Sequence, residues 1–107
     1  MGQGHGRYRP RQVDPVAYLA GTYFHQDYDL EAATPLGVVQ NFLDGSGDED
    51  AWELRRAVVR LLSEPGGDAR LAEAWLVKGE AQYDPRRDGV SLREWFQSII
   101  DLVDGRG

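Results

Sequence analysis

The segment SLREWFQSIIDLVDG, residues 91–105, most constrains what this chain can fold into. Ser91 and Glu94 have the spacing of a capping box at a helix start, and Gly105 is a typical helix stop. The apolar residues between them recur at intervals of three and four, as on one face of a helix: Leu92, Trp95, Phe96, Ile99, Ile100 and Val103. A helix this one-sided must bury that face, so the rest of the chain has to supply packing partners.

Four further segments share this periodicity, and each follows a plausible helix start. The capping residues we predict are Asp14 for the first helix, Thr34 for the second, Ser46 with Glu49 for the third and Asp68 for the fourth. We find no convincing strand pattern and no repeat, and 107 residues suffice for one modest core. The sequence therefore predicts an all-α, single-domain bundle of about five short helices. The three tryptophans fall in helical segments and are expected in the core: Trp52, Trp75 and Trp95.

The first twelve residues differ from the rest of the chain in composition. Residues 1–12 are rich in Gly and Arg and carry no acid, so we predict a flexible basic tail before a helical domain at 13–107. Three arginines without a folded basic face make a weak case for nucleic-acid binding. No apolar run approaches the roughly 20 residues needed to span a bilayer, and we see no secretory leader. With no cysteine, the expectation is a cytoplasmic protein without membrane contact.

Acidic residues are concentrated in one part of the chain. The net charge is −6, and the stretch from Asp27 to Glu53 contains no Lys or Arg. Its eight acids are Asp27, Asp29, Glu31, Asp44, Asp48, Glu49, Asp50 and Glu53. Such a run repels nucleic acid and attracts a basic partner by long-range steering.

The nine residues YFHQDYDLE, 23–31, open this run and admit two interpretations. In an extended segment, His25, Asp27 and Asp29 would share a face with Glu31, which suggests a small metal-dependent hydrolase. However, no second histidine lies at a helical i+4 offset, and no nucleophile or phosphate-loop motif completes a site. The structural interpretation is stronger. Tyr23, Phe24 and Tyr28 would be core or rim aromatics, His25 or Gln26 would bond the last helix carbonyls, and Asp27 or Asp29 would bond backbone amides. We expect no catalytic residue, metal or cofactor.

The stretch YLAGTYFHQDYDLE, residues 18–31, resembles the N-terminal motif of small immunity proteins from bacterial contact-dependent growth inhibition systems. In such families an aromatic-rich YF-HQD stretch ends a short helix, and a second helix leads to FL, the place taken here by TPLGVVQNFL. The ending QYDPRRDGVSLREWFQSII is similar to the family's closing turn and Trp-containing helix. The resemblance covers roughly residues 18–102, and Tyr28 stands where a Trp is common in the family.

The resemblance implies a non-enzymatic protein that binds the C-terminal domain of a cognate toxin. Many such toxins are nucleases with basic clefts, so the acidic run would stand in for phosphates. The candidate toxin-binding residues are Tyr28, Asp29, Glu31, Asp44, Asp48, Glu49, Asp50 and Glu53, with Tyr23 as a further aromatic candidate. The motif and structural residues are Tyr23, Phe24, His25, Gln26, Asp27 and Trp95. We expect a monomer or weak dimer, and a generic acidic adaptor unrelated to toxins stays open as an alternative.

Overall fold

The computed structural model of the chain describes residues 14–105, and the predicted basic tail lies outside them. Five helices follow in order: α1, Pro15–Tyr18, which continues as a π-helical turn at Leu19–Tyr23; α2, Pro35–Asp44; α3, Asp48–Ser63; α4, Gly67–Ala72, which continues as a π-helical segment at Glu73–Lys78; and α5, Leu92–Asp104. Short 3₁₀ turns occupy Tyr28–Leu30 and Pro85–Asp88. The described residues contain no strand, so the predicted all-α single-domain bundle is confirmed.

Three of the predicted helix starts are confirmed. Asp14 accepts hydrogen bonds from the backbone amides of Val16 (2.7 Å) and Ala17 (3.3 Å). Thr34 accepts from the amide of Gly37 at 3.0 Å. At α5 the capping box is complete, because Ser91 Oγ accepts from the Glu94 amide and Glu94 Oε1 accepts from the Ser91 amide. These side chains satisfy amides that have no partner within their helix.

Two predicted caps are wrong. Gly47, and not Ser46, precedes the first residue of α3, and no side chain caps that end. Asp68 does not cap α4, because Gly66 and Gly67 adopt positive φ and the helix already begins at Gly67. The Asp68 carboxylate instead accepts from the amides of Leu92 (3.0 Å) and Arg93 (3.1 Å), at the start of α5. A side chain in the first turn of α4 thus caps α5, which is distant in sequence.

The core is built around the apolar face of α5, which packs against α2, α3 and α4. An aromatic cluster forms its centre, with ring centroids 5.1 Å apart for Phe24 and Trp75, 5.6 Å for Phe24 and Trp95, and 5.1 Å for Tyr83 and Trp95. The indole of Trp75 donates to the carbonyl of Tyr83 at 2.8 Å. The expected burial of Phe24, Trp75 and Trp95 is confirmed.

The expected burial of Trp52 is wrong, since 60% of this residue is exposed. Helix α3 turns Ala51, Leu54 and Val58 inward. Position 52 precedes Leu54 by two residues, or roughly 200° around a helix of 3.6 residues per turn. Its indole therefore points away from the core.

Candidate functional site

The YFHQD motif is a turn that joins α1 to the rest of the bundle. After Phe24 the helix ends, and the Phe24 carbonyl accepts from the backbone amide of Gln82 at 2.8 Å. His25 Nδ1 accepts from the amide of Asp27 at 3.1 Å, and the His25 carbonyl accepts from the amide of Tyr28 at 2.9 Å. His25 thus holds the turn as a hydrogen-bond acceptor. The expectation that His25 or Gln26 donates to the closing carbonyls is replaced, at Phe24, by a backbone amide of a distant segment.

The hydrolase hypothesis requires an extended segment from His25 to Glu31, and the structure does not have one. Residues 28–30 form a 3₁₀ turn, so alternate side chains do not share one face. His25 Nε2 lies 3.8 Å from Glu31 Oε2, and both side chains are partly exposed. Among residues 14–105, no three His, Cys, Asp or Glu side chains are placed to hold a metal ion together. The geometry therefore gives the hydrolase hypothesis no support.

Glu31 lies instead in a cleft of about 410 Å³ between α1 and α2, which we call the Glu31 cleft. It is lined by Tyr18, Thr22, Tyr23, His25, Glu31, Asn41 and Gly45. The rings of Tyr18 and Tyr23 lie 6.4 Å apart, and Tyr23 meets Phe42 edge-on at 5.4 Å. The Asn41 amide donates to the Glu31 carbonyl at 3.1 Å and fixes the loop against α2. A carboxylate beside aromatic rings is a chemically suitable place for an Arg or Lys side chain.

Tyr28 and Asp29 lie in a different cleft, of about 230 Å³, formed with Tyr83, Arg87 and Asp88. The Tyr28 ring contacts that of Tyr83, with centroids 5.7 Å apart. The Tyr83 hydroxyl donates to Asp88 Oδ2 at 3.1 Å. Burial and this hydrogen bond raise the pKa of Tyr83, so it remains a neutral phenol and a hydrogen-bond donor. Candidate residues that are adjacent in sequence are thus divided between two clefts.

The remaining candidate acids lie later in the sequence than Glu31, in α2 and α3. Asp44 ends α2 and accepts from the Gln40 side chain at 2.8 Å. The first turn of α3 contains Asp48, Glu49 and Asp50. Negative side chains are stabilised there by the positive end of the helix dipole. Asp44, Asp48 and Glu49 are exposed, and Asp50 and Glu53 are half-buried. The acids after Asp29 thus lie in the Glu31 cleft, at the end of α2 and in the first turns of α3.

Charge is divided unevenly between the two parts of the described chain. Residues 14–53, which we call the acidic half, contain nine acids and no Lys or Arg. Residues 54–105 contain nine acids and eight bases. In that second part Arg55 pairs with Asp104 at 2.7 Å, Arg86 pairs with Asp84 at 2.8 Å, and Arg70 bridges two glutamates. The hydrogen bonds from Arg55 and Arg86 lower the pKa of Asp104 and of Asp84. The negative surplus of the described domain therefore belongs to the acidic half.

Sequence reasoning missed three residues of the acidic half that the structure places in a cleft or leaves exposed. Tyr18 and Asn41 line the Glu31 cleft, and Trp52 is exposed in the second turn of α3. The period of α3 held a usable signal for Trp52, because the stripe that includes Leu54 and Val58 excludes position 52. No comparable signal existed for Asn41, whose role depends on a loop that folds back over α2.

A compact helical domain with an acidic half and open clefts has the form of a small protein-binding domain. The chain belongs to the CdiI immunity protein family, since the family's sequence model matches residues 12–103. We found no significant match among curated proteins or among solved structures. The resemblance of the motifs to immunity proteins of contact-dependent growth inhibition is thereby confirmed, and with it an immunity role that implies a cognate toxin as partner. Within residues 14–105, no helix combines the length and the apolar character needed to cross a membrane.

Proposed function

We propose that this protein neutralises a nuclease toxin domain by placing its acidic half over the toxin's basic substrate-binding cleft. The carrying observation is the segregation of charge, with nine acids and no Lys or Arg in residues 14–53. A nuclease binds phosphates with a surface rich in Arg and Lys. A protein surface of opposite sign attracts such a cleft and competes with its substrate.

Within the acidic half, the Glu31 cleft is a suitable place for a basic side chain of the toxin. Its carboxylate is about half exposed, and the rings of Tyr18 and Tyr23 stand beside it. A toxin arginine that enters the cleft would gain a charge-assisted hydrogen bond to Glu31 and stack against an aromatic ring. Asn41 already holds the Glu31 backbone, so the site is ordered before the partner binds.

The direct test is protection against a linked toxin. A large toxin should be encoded immediately upstream of this protein, and its C-terminal domain should arrest cell growth when expressed alone. Co-expression of this chain should restore growth, and the purified toxin domain should form a complex with it and lose nuclease activity. Absence of any complex would overturn the proposal. A complex with a toxin that is not a nuclease would keep the immunity role and remove the substrate-cleft argument.

Matched charge variants test the role of the acidic half. Asp44→Asn with Glu49→Gln should slow association with the toxin by roughly tenfold at low salt, because charge complementarity acts mainly on the encounter rate. Glu80→Gln with Asp101→Asn removes the same charge from exposed positions in residues 54–105 and should change the rate less than twofold. Stopped-flow or surface-based kinetics at several salt concentrations give both rates. Equal effects of the two pairs would contradict a toxin contact by the acidic half.

A further inference from the structure

Trp52 is the largest apolar side chain that stays exposed among residues 14–105. Tryptophan normally buries most of its surface, and it is among the residues that most often dominate the energy of a protein interface. None of the aromatic pairs in the described part of the chain includes its ring. The folded domain thus leaves most of a large, rigid aromatic side chain exposed to water.

Acidic side chains surround this indole on the side of the helix start. Asp48 and Glu49 lie four and three residues before Trp52 and therefore flank it on the helix surface. Glu53 follows it directly. In the opposite direction Arg56 and the partly exposed Val59 continue the same face by one and two turns. The face thus has an apolar centre and a predominantly negative border toward the acidic half.

We propose that Trp52 is the central anchor of the toxin interface, and that its indole enters an apolar socket bordered by Lys or Arg residues of the toxin. This inference rests on the proposed function and deepens it by naming the anchor and the chemistry of the matching surface. Negative charge around the indole guides a basic partner to the site, while burial of the ring slows its release. The acids thus act on the association rate, and the aromatic ring acts on the lifetime of the complex.

The family match and the charge of this region together identify the partner. An immunity protein has a cognate toxin as its partner, and Trp52 lies in the acidic half, whose net charge is negative. A basic surface of that toxin is therefore attracted to this face. Nucleic acid is disfavoured by the same sign of charge. A basic protein surface is the occupant that fits.

The first experiment measures binding of the linked toxin domain to single variants of the full chain. Trp52→Ala should raise the Kd at least about 30-fold, which is the size of an interface hot spot, and mainly through faster dissociation. Trp52→Phe should recover part of the loss. Val77→Ala is the matched control, because Val77 is 68% exposed and lies outside the acidic half; it should change the Kd less than threefold. Thermal unfolding should show that all three variants stay folded, as expected for exposed positions.

A second readout uses the tryptophans of the intact protein. Trp75 and Trp95 are buried, so a neutral quencher such as acrylamide should act on Trp52 in the free protein. Toxin binding should remove this quenching, and the same titration with Trp52→Phe reports the toxin's own tryptophans. Loss of quenching in the complex supports the anchor.

Three results would overturn the inference. One is a Kd of Trp52→Ala equal to that of the wild type, and another is persistent quenching of Trp52 in the complex. The third is a concentration-dependent dimer of the free chain that Trp52→Ala abolishes, since a second copy would then cover this face. Failure of the wild type to bind the toxin is a different outcome, which removes the proposed function itself.

Discussion

The aromatic cluster around Phe24 and the face around Trp52 lie on the same small domain but place their aromatic rings in opposite environments. Trp95 is 3% exposed and contacts the rings of Phe24, Trp75 and Tyr83. Trp52 is 60% exposed, and Asp48, Glu49 and Glu53 lie close to it along α3. Both residues lie on amphipathic helices, and only their position relative to the apolar stripe differs. The same residue type therefore serves the core at one position and remains free for a partner at the other.

The charge of each region follows the same division. Around the second part of the chain, arginines pair with carboxylates and leave little net charge. The acidic half contains no Lys or Arg, so its own side chains do not balance its negative charge. Residues around α5 form most of the core, and in the proposed function the segment from α1 to the start of α3 forms the surface that contacts the toxin.

Trp95→Ala should have the largest effect on the core. A buried large-to-small change of this kind costs roughly 3–5 kcal/mol in the free energy of unfolding. Trp52→Ala is the matched variant and should cost less than about 0.5 kcal/mol, because its ring lies in solvent. Chemical denaturation followed by circular dichroism gives both values. A loss below about 1 kcal/mol for Trp95→Ala would show that the cluster is not the centre of the core.

Gly79→Ala should have the next largest effect, because Gly79 lies where the two π-helical segments touch. A Cβ at this position would come within 2.5 Å of the Ala20 side chain and 2.8 Å of the Trp75 carbonyl. The backbone of Gly79 has an ordinary helical conformation, so the cost is one of packing and not of φ. Overpacking of this type costs roughly 1–3 kcal/mol.

Gly105→Ala is the control for that substitution. Gly105 also has a helical conformation, and a Cβ there would make ordinary contacts of 3.4 Å or more. Its free energy of unfolding should change by less than about 0.5 kcal/mol. If both glycine variants were equally stable, the close approach of the two segments would not contribute to the fold.

Much of this fold is encoded in local sequence. Asp14-Pro15, Thr34-Pro35 and the Ser91–Glu94 box each act on amides within three residues, so the sequence alone predicts them. Asp68 was assigned to the wrong helix because its partners are 24 and 25 residues away. The π-helical segments at Leu19–Tyr23 and Glu73–Lys78 leave no periodic signal of their own in the sequence. Local rules thus succeed at these three helix starts, but they fail at α3, where no side chain caps the helix.

The candidate surface was predictable in charge and less so in geometry. The unbroken acidic run from Asp27 to Glu53 is visible in the sequence itself, since counting charges needs no fold. The division of Tyr28 and Asp29 from Glu31 depends on the 3₁₀ turn and on the hydrogen bond from Asn41, and neither is visible as a pattern. Trp52 departs from the prediction because a tryptophan on an amphipathic helix is usually buried, whereas the phase of α3 turns position 52 away from the core.

Among the variants expected to destabilise the domain, the one at the long-range cap should have the smallest effect. Asp68→Ala removes the acceptor for the first two amides of α5 and should cost about 1 kcal/mol in the free energy of unfolding, as for loss of an N-cap. Asp68→Asn keeps one side-chain oxygen but loses the charge, so its cost should be smaller, because hydrogen bonds to charged acceptors are the stronger ones. Hydrogen exchange of the Leu92 and Arg93 amides should rise in Asp68→Ala, while toxin affinity should not change. Unchanged protection of these amides would mean that the Ser91–Glu94 box suffices to hold the start of α5. An altered affinity would instead place the contact between Asp68 and the start of α5 in the toxin interface. The interface would then extend beyond the acidic half.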